Sequence, residues 1–122
     1  MYKSKNSNHS YLTYCRLQAT ILCMEVFKTD LFDKWLKKLR DKRAKAIIQV
    51  HINRIIENKL GKLNSVGDKI HEKKINYGPG YRLYFINHGK NIIILLCGGD
   101  KSTQQQDISQ AKTIAIKIKM KE

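Results

Sequence analysis

Two different periods of apolar residues divide the chain. Leu31, Phe32, Trp35, Leu36 and Leu39 recur at helical spacing, with Lys34, Lys37, Lys38 and Arg40 off that stripe. The spacing predicts an amphipathic helix. Thr29 or Asp30 can cap it, because a short side-chain oxygen accepts from the orphan N–H groups of a first turn. A second stripe, Ala44, Ile47, Ile48, His51, Ile52, Ile55 and Ile56, follows Asp41, another capping residue. It predicts a second helix ending near Leu60–Gly61, where glycine suits the residue after a helix. The two make a helical hairpin. Just before it, residues 24–28 read as a short strand.

The period changes after Lys69. Residues 69–77 are mixed and extended, and Gly78-Pro79-Gly80 is a strong turn signal. Residues 81–86 are aromatic and β-branched, as strands prefer. Residues 87–91 form a second turn, and Ile92 to Cys97 is an apolar run that suits a buried strand. These segments predict a three-stranded antiparallel meander over residues 69–97. Gly98-Gly99-Asp100 is read as the break that ends it. Ser102 or Thr103 can then cap a last helix, with Ile108, Ala111, Ala115 and Ile118 among its apolar positions. The order β-α-α-β-β-β-α implies an α+β fold class.

Composition narrows the partners more than the fold. The 122 residues suit one domain. Lys+Arg number 24 against 10 Asp+Glu, a formal net charge of +14, which favours a polyanion as partner: nucleic acid, an anionic membrane surface or an acidic protein. No apolar run is long enough for a membrane helix. Cys15, Cys23 and Cys97 form neither a CxxC pair nor a zinc-spaced cluster, which suits a reducing cytoplasm. Residues 1–23 hold three basic and no acidic residues and lack a clear period. They are expected to be an N-terminal extension, either a flexible arm or the product of an upstream start. A start at Met24 is favoured because the first strand begins there. Residues 24–122 form the domain.

Three segments resemble a known family. Phe32, Trp35, Leu36, Leu39, Arg40 and Asp41 are spaced as in the opening motif of the addiction-module killer proteins, HigB-like members of the RelE/ParE toxin superfamily. Tyr77-Gly78-Pro79-Gly80-Tyr81-Arg82-Leu83-Tyr84 and Leu95-Leu96-Cys97-Gly98-Gly99-Asp100-Lys101-Ser102-Thr103-Gln104 are similar to two further motifs of that family. The resemblance runs from about Met24 to about Ala115, in the family's order and spacing. It implies a RelE-like fold: an N-terminal helical hairpin packed on a twisted antiparallel sheet, with a C-terminal helix. It also implies a cytoplasmic toxin of a type II toxin–antitoxin module, paired with an antitoxin, usually a small helix-turn-helix protein through which the complex can reach operator DNA. The expected activity is metal-independent, ribosome-dependent cleavage of mRNA that inhibits translation, with no cofactor. Two alternatives stay open: a ParE-like toxin that blocks DNA gyrase without cutting, and an inactive module that only binds its antitoxin.

Metal-free RNA cleavage uses the neighbouring 2′-OH as nucleophile. It needs a base near that hydroxyl, cations around the crowded phosphate and an acid for the leaving 5′-oxygen. Arg82 is the first catalytic candidate, because a guanidinium grips phosphate with two N–H groups. The resemblance gives a matching arginine the scissile phosphate. Lys101, at the mouth of the last helix, is the second. Lys74 is the third. It stands where the family usually has an arginine, and Lys73 where it has an apolar residue. Tyr84, Lys73 and Tyr77 are the candidates for holding RNA, Tyr84 by stacking on a base. Strand alternation puts Glu72, Lys74 on one face and Lys73 on the other. Tyr81 is expected in the core, Cys97 as a small buried hydrophobe, and His51 as a packed helix residue. No acidic cluster suggests a metal site.

Overall fold

A computed structural model describes residues 24–120 and the two-residue strand Leu12–Thr13. Among them are six strands: β1 (Leu12–Thr13), β2 (Glu25–Lys28), β3 (Asn64–Ser65), β4 (His71–Ile75), β5 (Tyr81–Asn87) and β6 (Ile92–Asp100). The helices are α1 (Asp30–Lys38), α2 (Lys42–Ile56) and α3 (Gln104–Met120). A 3-10 turn, Lys101–Thr103, leads into α3. The fold is α+β, with a mixed sheet in the order β1-β2-β6-β5-β4-β3. Apart from Leu12–Thr13, the expectation for residues 1–23 lies outside the described residues, as do Cys15 and Cys23.

Thr29 fixes the first junction of helix and sheet. Its hydroxyl accepts from the Phe32 N–H and so caps α1. The same hydroxyl donates to the Leu96 carbonyl at 2.7 Å. That carbonyl is available because β5 and β6 slip there: Tyr84 opposes Cys97 while Phe85 opposes Leu95, so Leu96 is one residue extra. The bulge re-phases β6. Leu96 and Cys97 both face α3, Gly98 faces α1 and Gly99 faces α3.

The helical hairpin covers one face. Phe32, Ile48, Ile52, Ile55, Leu83, Phe85, Ile93 and Leu95 are buried there, with Trp35 and Leu39 packed against them. Asp41 caps α2 by accepting from Arg43 N–H and Ala44 N–H. Helix α3 covers the other face, over Ile70, Tyr84, Ile86, Ile94, Leu96 and Cys97. No helix among the described residues is long and apolar enough to cross a membrane.

Three expectations are corrected. The sheet is mixed, not antiparallel, because β2 runs parallel to β6. The α1–α2 hairpin carries the chain away from β2, and β6 returns beside it from the meander. Helix α2 ends at Ile56, about a turn before Leu60–Gly61, because Asn58 takes the left-handed conformation, φ 61°. Gly98-Gly99 does not end the last strand, which runs to Asp100. Neither glycine makes a turn: a Cβ on Gly98 would overlap the Trp35 ring, and one on Gly99 would overlap the Asp107 carboxylate. They are places where a helix side chain meets bare backbone.

Candidate functional site

The tight Tyr77–Gly80 turn, closed by Gly80 N–H donating to the Tyr77 carbonyl at 3.1 Å, sets the register of the meander. Gly78 and Gly80 both take positive φ, which side chains disfavour. Lys74 therefore lies opposite Arg82, and Arg82 opposite Gly99. Asp100 caps the 3-10 turn by accepting from Ser102 N–H at 2.8 Å, leaving Lys101 exposed at its start. A Cβ on Gly80 would lie 3.8 Å from both Arg82 Nη1 and Lys101 Cβ. The three cationic candidates, Lys74, Arg82 and Lys101, thus gather at one end of the sheet.

Arg82 differs from the two lysines. Lys74 and Lys101 are exposed, whereas Arg82 is 7% exposed. Its Nη1 donates to the Gly80 carbonyl at 3.2 Å. Its Nε lies 3.4 Å from Glu72 Oε2, close enough for an ion pair but not aligned as a hydrogen bond. Glu72 is itself 2% exposed. Asn64 Nδ2 donates to its Oε1 at 3.3 Å, and Tyr84 Oη and Gln104 Nε2 donate to its Oε2 at 3.0 and 2.8 Å. Beside this cluster Asp107 accepts from Thr103 Oγ1 at 2.6 Å. Burial pushes the Asp107 carboxyl above the usual range, against the Thr103 hydrogen bond, and Asp100 adds to the rise. Burial, aided by Asp107, raises the Cys97 thiol to about 12, so it remains a protonated, packed side chain at neutral pH.

The three candidates for holding RNA are separated from this cluster or from solvent. Tyr84 shares the face of Arg82, but its ring is fully buried and its hydroxyl is committed to Glu72, so it presents no face for a base to stack on. Burial and that hydrogen bond both push its pKa up. Lys73 points to the hairpin face, buried, with Nζ donating to the Leu60 carbonyl at 2.8 Å. It ties down the chain after α2 and is not offered to a polyanion. Tyr77 packs at the edge of the hairpin core and donates to Asp41 Oδ2 at 3.2 Å. His51 is half-buried, with its Nδ1 enclosed and unpartnered. Among the described residues no three His, Cys, Asp or Glu side chains are grouped to hold a metal ion.

The sequence places Glu72 on the face of Lys74 and Gln104 and Asp107 in or beside the third motif, but it assigns no role to these residues or to Asn64. For Glu72 a signal existed. The Tyr77–Gly80 turn makes position 72 a diagonal neighbour of position 82 across the strand pair, and an acid and an arginine so placed can meet.

A protein of Haemophilus influenzae strain Rd, described only as an uncharacterized protein, is 47% identical to this chain over 94 residues, which are 77% of this chain and 95% of its own length. The chain belongs to the family of that protein. No family model matches, and no solved structure matches significantly. That relative's description names no activity.

Proposed function

We propose that this chain is a toxin of the RelE/ParE type, HigB-like, that cuts mRNA on the ribosome and is neutralised in the cytoplasm by a helix-turn-helix antitoxin. One observation carries the reading: the register of β4, β5 and β6 gathers Lys74, Arg82 and Lys101 around the Gly80 turn. A phosphodiester seated at that rim would meet the Arg82 guanidinium, with the two lysines on either side. As the 2′-OH attacks phosphorus it gives its proton to water, negative charge grows on the non-bridging oxygens, and the P–O5′ bond breaks with the leaving 5′-oxygen taking a proton from water. Fixed cations stabilise that charge more than they stabilise the ground state. The product would be a 2′,3′-cyclic phosphate and a free 5′-OH. The ribosome would supply the orientation that a small cation-rich site lacks. The three motifs and the α+β architecture with its hairpin and C-terminal helix support the same reading.

A second reading has its own observation. Arg82 is almost enclosed and paired with Glu72, as a purely structural arginine would be. On that reading the chain blocks a topoisomerase in the ParE manner and cuts nothing. Mapping mRNA 5′ ends after induction separates the two. Arg82→Ala should lower cutting roughly 100- to 1,000-fold, about 3–4 kcal/mol in the transition state, with the fold and antitoxin binding retained. Lys101→Ala should weaken cutting less. Full growth arrest by a folded Arg82→Ala chain, with intact mRNA and stalled gyrase, would overturn the nuclease reading.

A further inference from the structure

We propose that Glu72 is the positioning residue for Arg82: it holds the guanidinium at the rim of the Gly80 turn and couples that hold to helix α3. The inference rests on the nuclease reading above for its consequence in catalysis, but not for its geometry.

A buried carboxylate is costly unless its oxygens are matched by donors. Glu72 is matched on every side. Asn64 comes from β3, Tyr84 and Arg82 from β5, and Gln104 from the first turn of α3. Three of these are neutral donors that fix the carboxylate. Arg82 is the cation of the four, so it is the one that the carboxylate's charge orients. Oε2 is the oxygen that faces Arg82 Nε, and it is the same oxygen that receives Tyr84 Oη and Gln104 Nε2. The arginine is then held by ionic attraction to that oxygen on its Nε side and by a hydrogen bond from Nη1 to the Gly80 carbonyl. A long side chain otherwise loses its single orientation to many rotamers. The clamp therefore prepares the guanidinium before any phosphate arrives, which is where electrostatic catalysis gains most. Tyr84 lies beneath this arrangement as a brace, which accounts for a buried tyrosine hydroxyl beside a buried acid.

The test uses the full chain with three variants, Glu72→Gln, Gln104→Ala and Tyr84→Phe, each alone and the first also combined with Arg82→Ala. Glu72→Gln keeps the shape and loses the charge that draws Arg82. It should cut mRNA at least tenfold less per folded molecule than the native chain, and it should melt at a lower temperature, because the amide sets a donor among buried donors and leaves the guanidinium without its counter-charge. In the Arg82→Ala background it should cause no further loss, because a residue that acts through another has nothing left to act on. Gln104→Ala loosens Oε2 without removing it and should lower cutting several-fold, so it keeps the question open to measurement if Glu72→Gln does not fold. Tyr84→Phe removes the other neutral donor to Oε2 and should likewise lower cutting several-fold. The spectroscopic arm is independent of activity. The Arg82 Nε–H resonance should exchange with water at least tenfold faster in Glu72→Gln than in the native chain, and faster also in Gln104→Ala. Native exchange at Arg82 in either folded variant would overturn the positioning role. So would a Glu72→Gln loss of cutting that adds in full to that of Arg82→Ala. If instead Arg82→Ala cuts normally, the nuclease reading falls, and the exchange data alone decide whether Glu72 holds Arg82.

Discussion

The two faces of the sheet are built from different chemistry. On the hairpin face the strands contribute Tyr81, Leu83, Phe85, Ile93 and Leu95, and the helices answer with Phe32, Ile48, Ile52 and Ile55. Among the described residues the one buried charge there, Lys73, bonds a backbone carbonyl at the margin. On the α3 face the same strand, β5, contributes Ile86, then Tyr84, then Arg82. That face is apolar at one end and becomes a network of Glu72, Tyr84, Arg82, Gln104 and Thr103–Asp107 at the other. Apolar contact is non-directional and tolerates small shifts. A buried acid and arginine tolerate few, since each lost donor leaves an exposed cost inside the protein. The hairpin face therefore supplies stability, and the α3 face spends some of it on holding one guanidinium in place.

The largest effect that would test this division lies on the hairpin face. Phe32 is fully buried and its ring stands 5.6 Å from that of Trp35. Phe32→Ala should cost about 3–5 kcal/mol through lost burial and the cavity left behind, read as a lower urea midpoint. If the faces are separate in function, mRNA cutting per folded molecule should be unchanged at a temperature where the variant is still folded. A tenfold loss in the folded variant would mean that the hairpin also shapes the site.

Much of the hairpin face was legible because its signals are local. The stripes of α1 and α2 and the caps Thr29 and Asp41 each lie within a few residues of what they control. The exit from α2 was misread because Asn58 takes the left-handed conformation first and ends the helix, while Gly61 takes it only beyond that end, and sequence favours glycine for that role. The parallel pairing of β2 with β6 joins residues about 67 apart, and no local pattern encodes it. Gly98 and Gly99 illustrate the limit well. A glycine pair reads as a breaker in one dimension. In three it admits Trp35 to one side of the strand and Asp107 to the other. At the site, Arg82, Lys74 and Lys101 were found from residue type and motif. The partners that decide what Arg82 can do come from β3, β4 and α3, and their meeting depends on a register that only the folded sheet reveals.

A smaller effect sharpens the comparison at Lys73, which sequence reading placed with the RNA-holding residues. Its amine caps the Leu60 carbonyl on the face away from Arg82. Burial, and then the nearby Arg54 charge, lower its pKa. Lys73→Met removes one hydrogen bond and one partly desolvated charge, terms of opposite sign. Its stability should change by about 1 kcal/mol or less, and mRNA cutting should stay within twofold of native. A tenfold loss of cutting with unchanged melting would return Lys73 to the site.

The smallest effect is a pH dependence confined to the hairpin face. Burial lowers the pKa of His51, and the Lys73 and Arg54 charges lower it further. The folded chain thus binds a proton at His51 less readily than the unfolded chain does. As pH falls through the ordinary imidazole value of 6.5, the unfolded state takes up its proton first and gains relative to the folded state. The His51 contribution is therefore at its most favourable above that value and declines below it. Because the ring is only half-buried, solvent screening should hold the loss well under about 1 kcal/mol. His51→Gln should flatten this part of the melting-temperature profile on the acid side of neutrality. Lys73→Met should reduce its slope by removing the stronger of the two repelling charges. An unchanged acid-side slope in His51→Gln would assign the loss to a group other than His51, and Asp107 could not be that group. The sign separates them: the raised Asp107 pKa makes the folded state hold its proton more tightly, so that group adds stability as the pH falls.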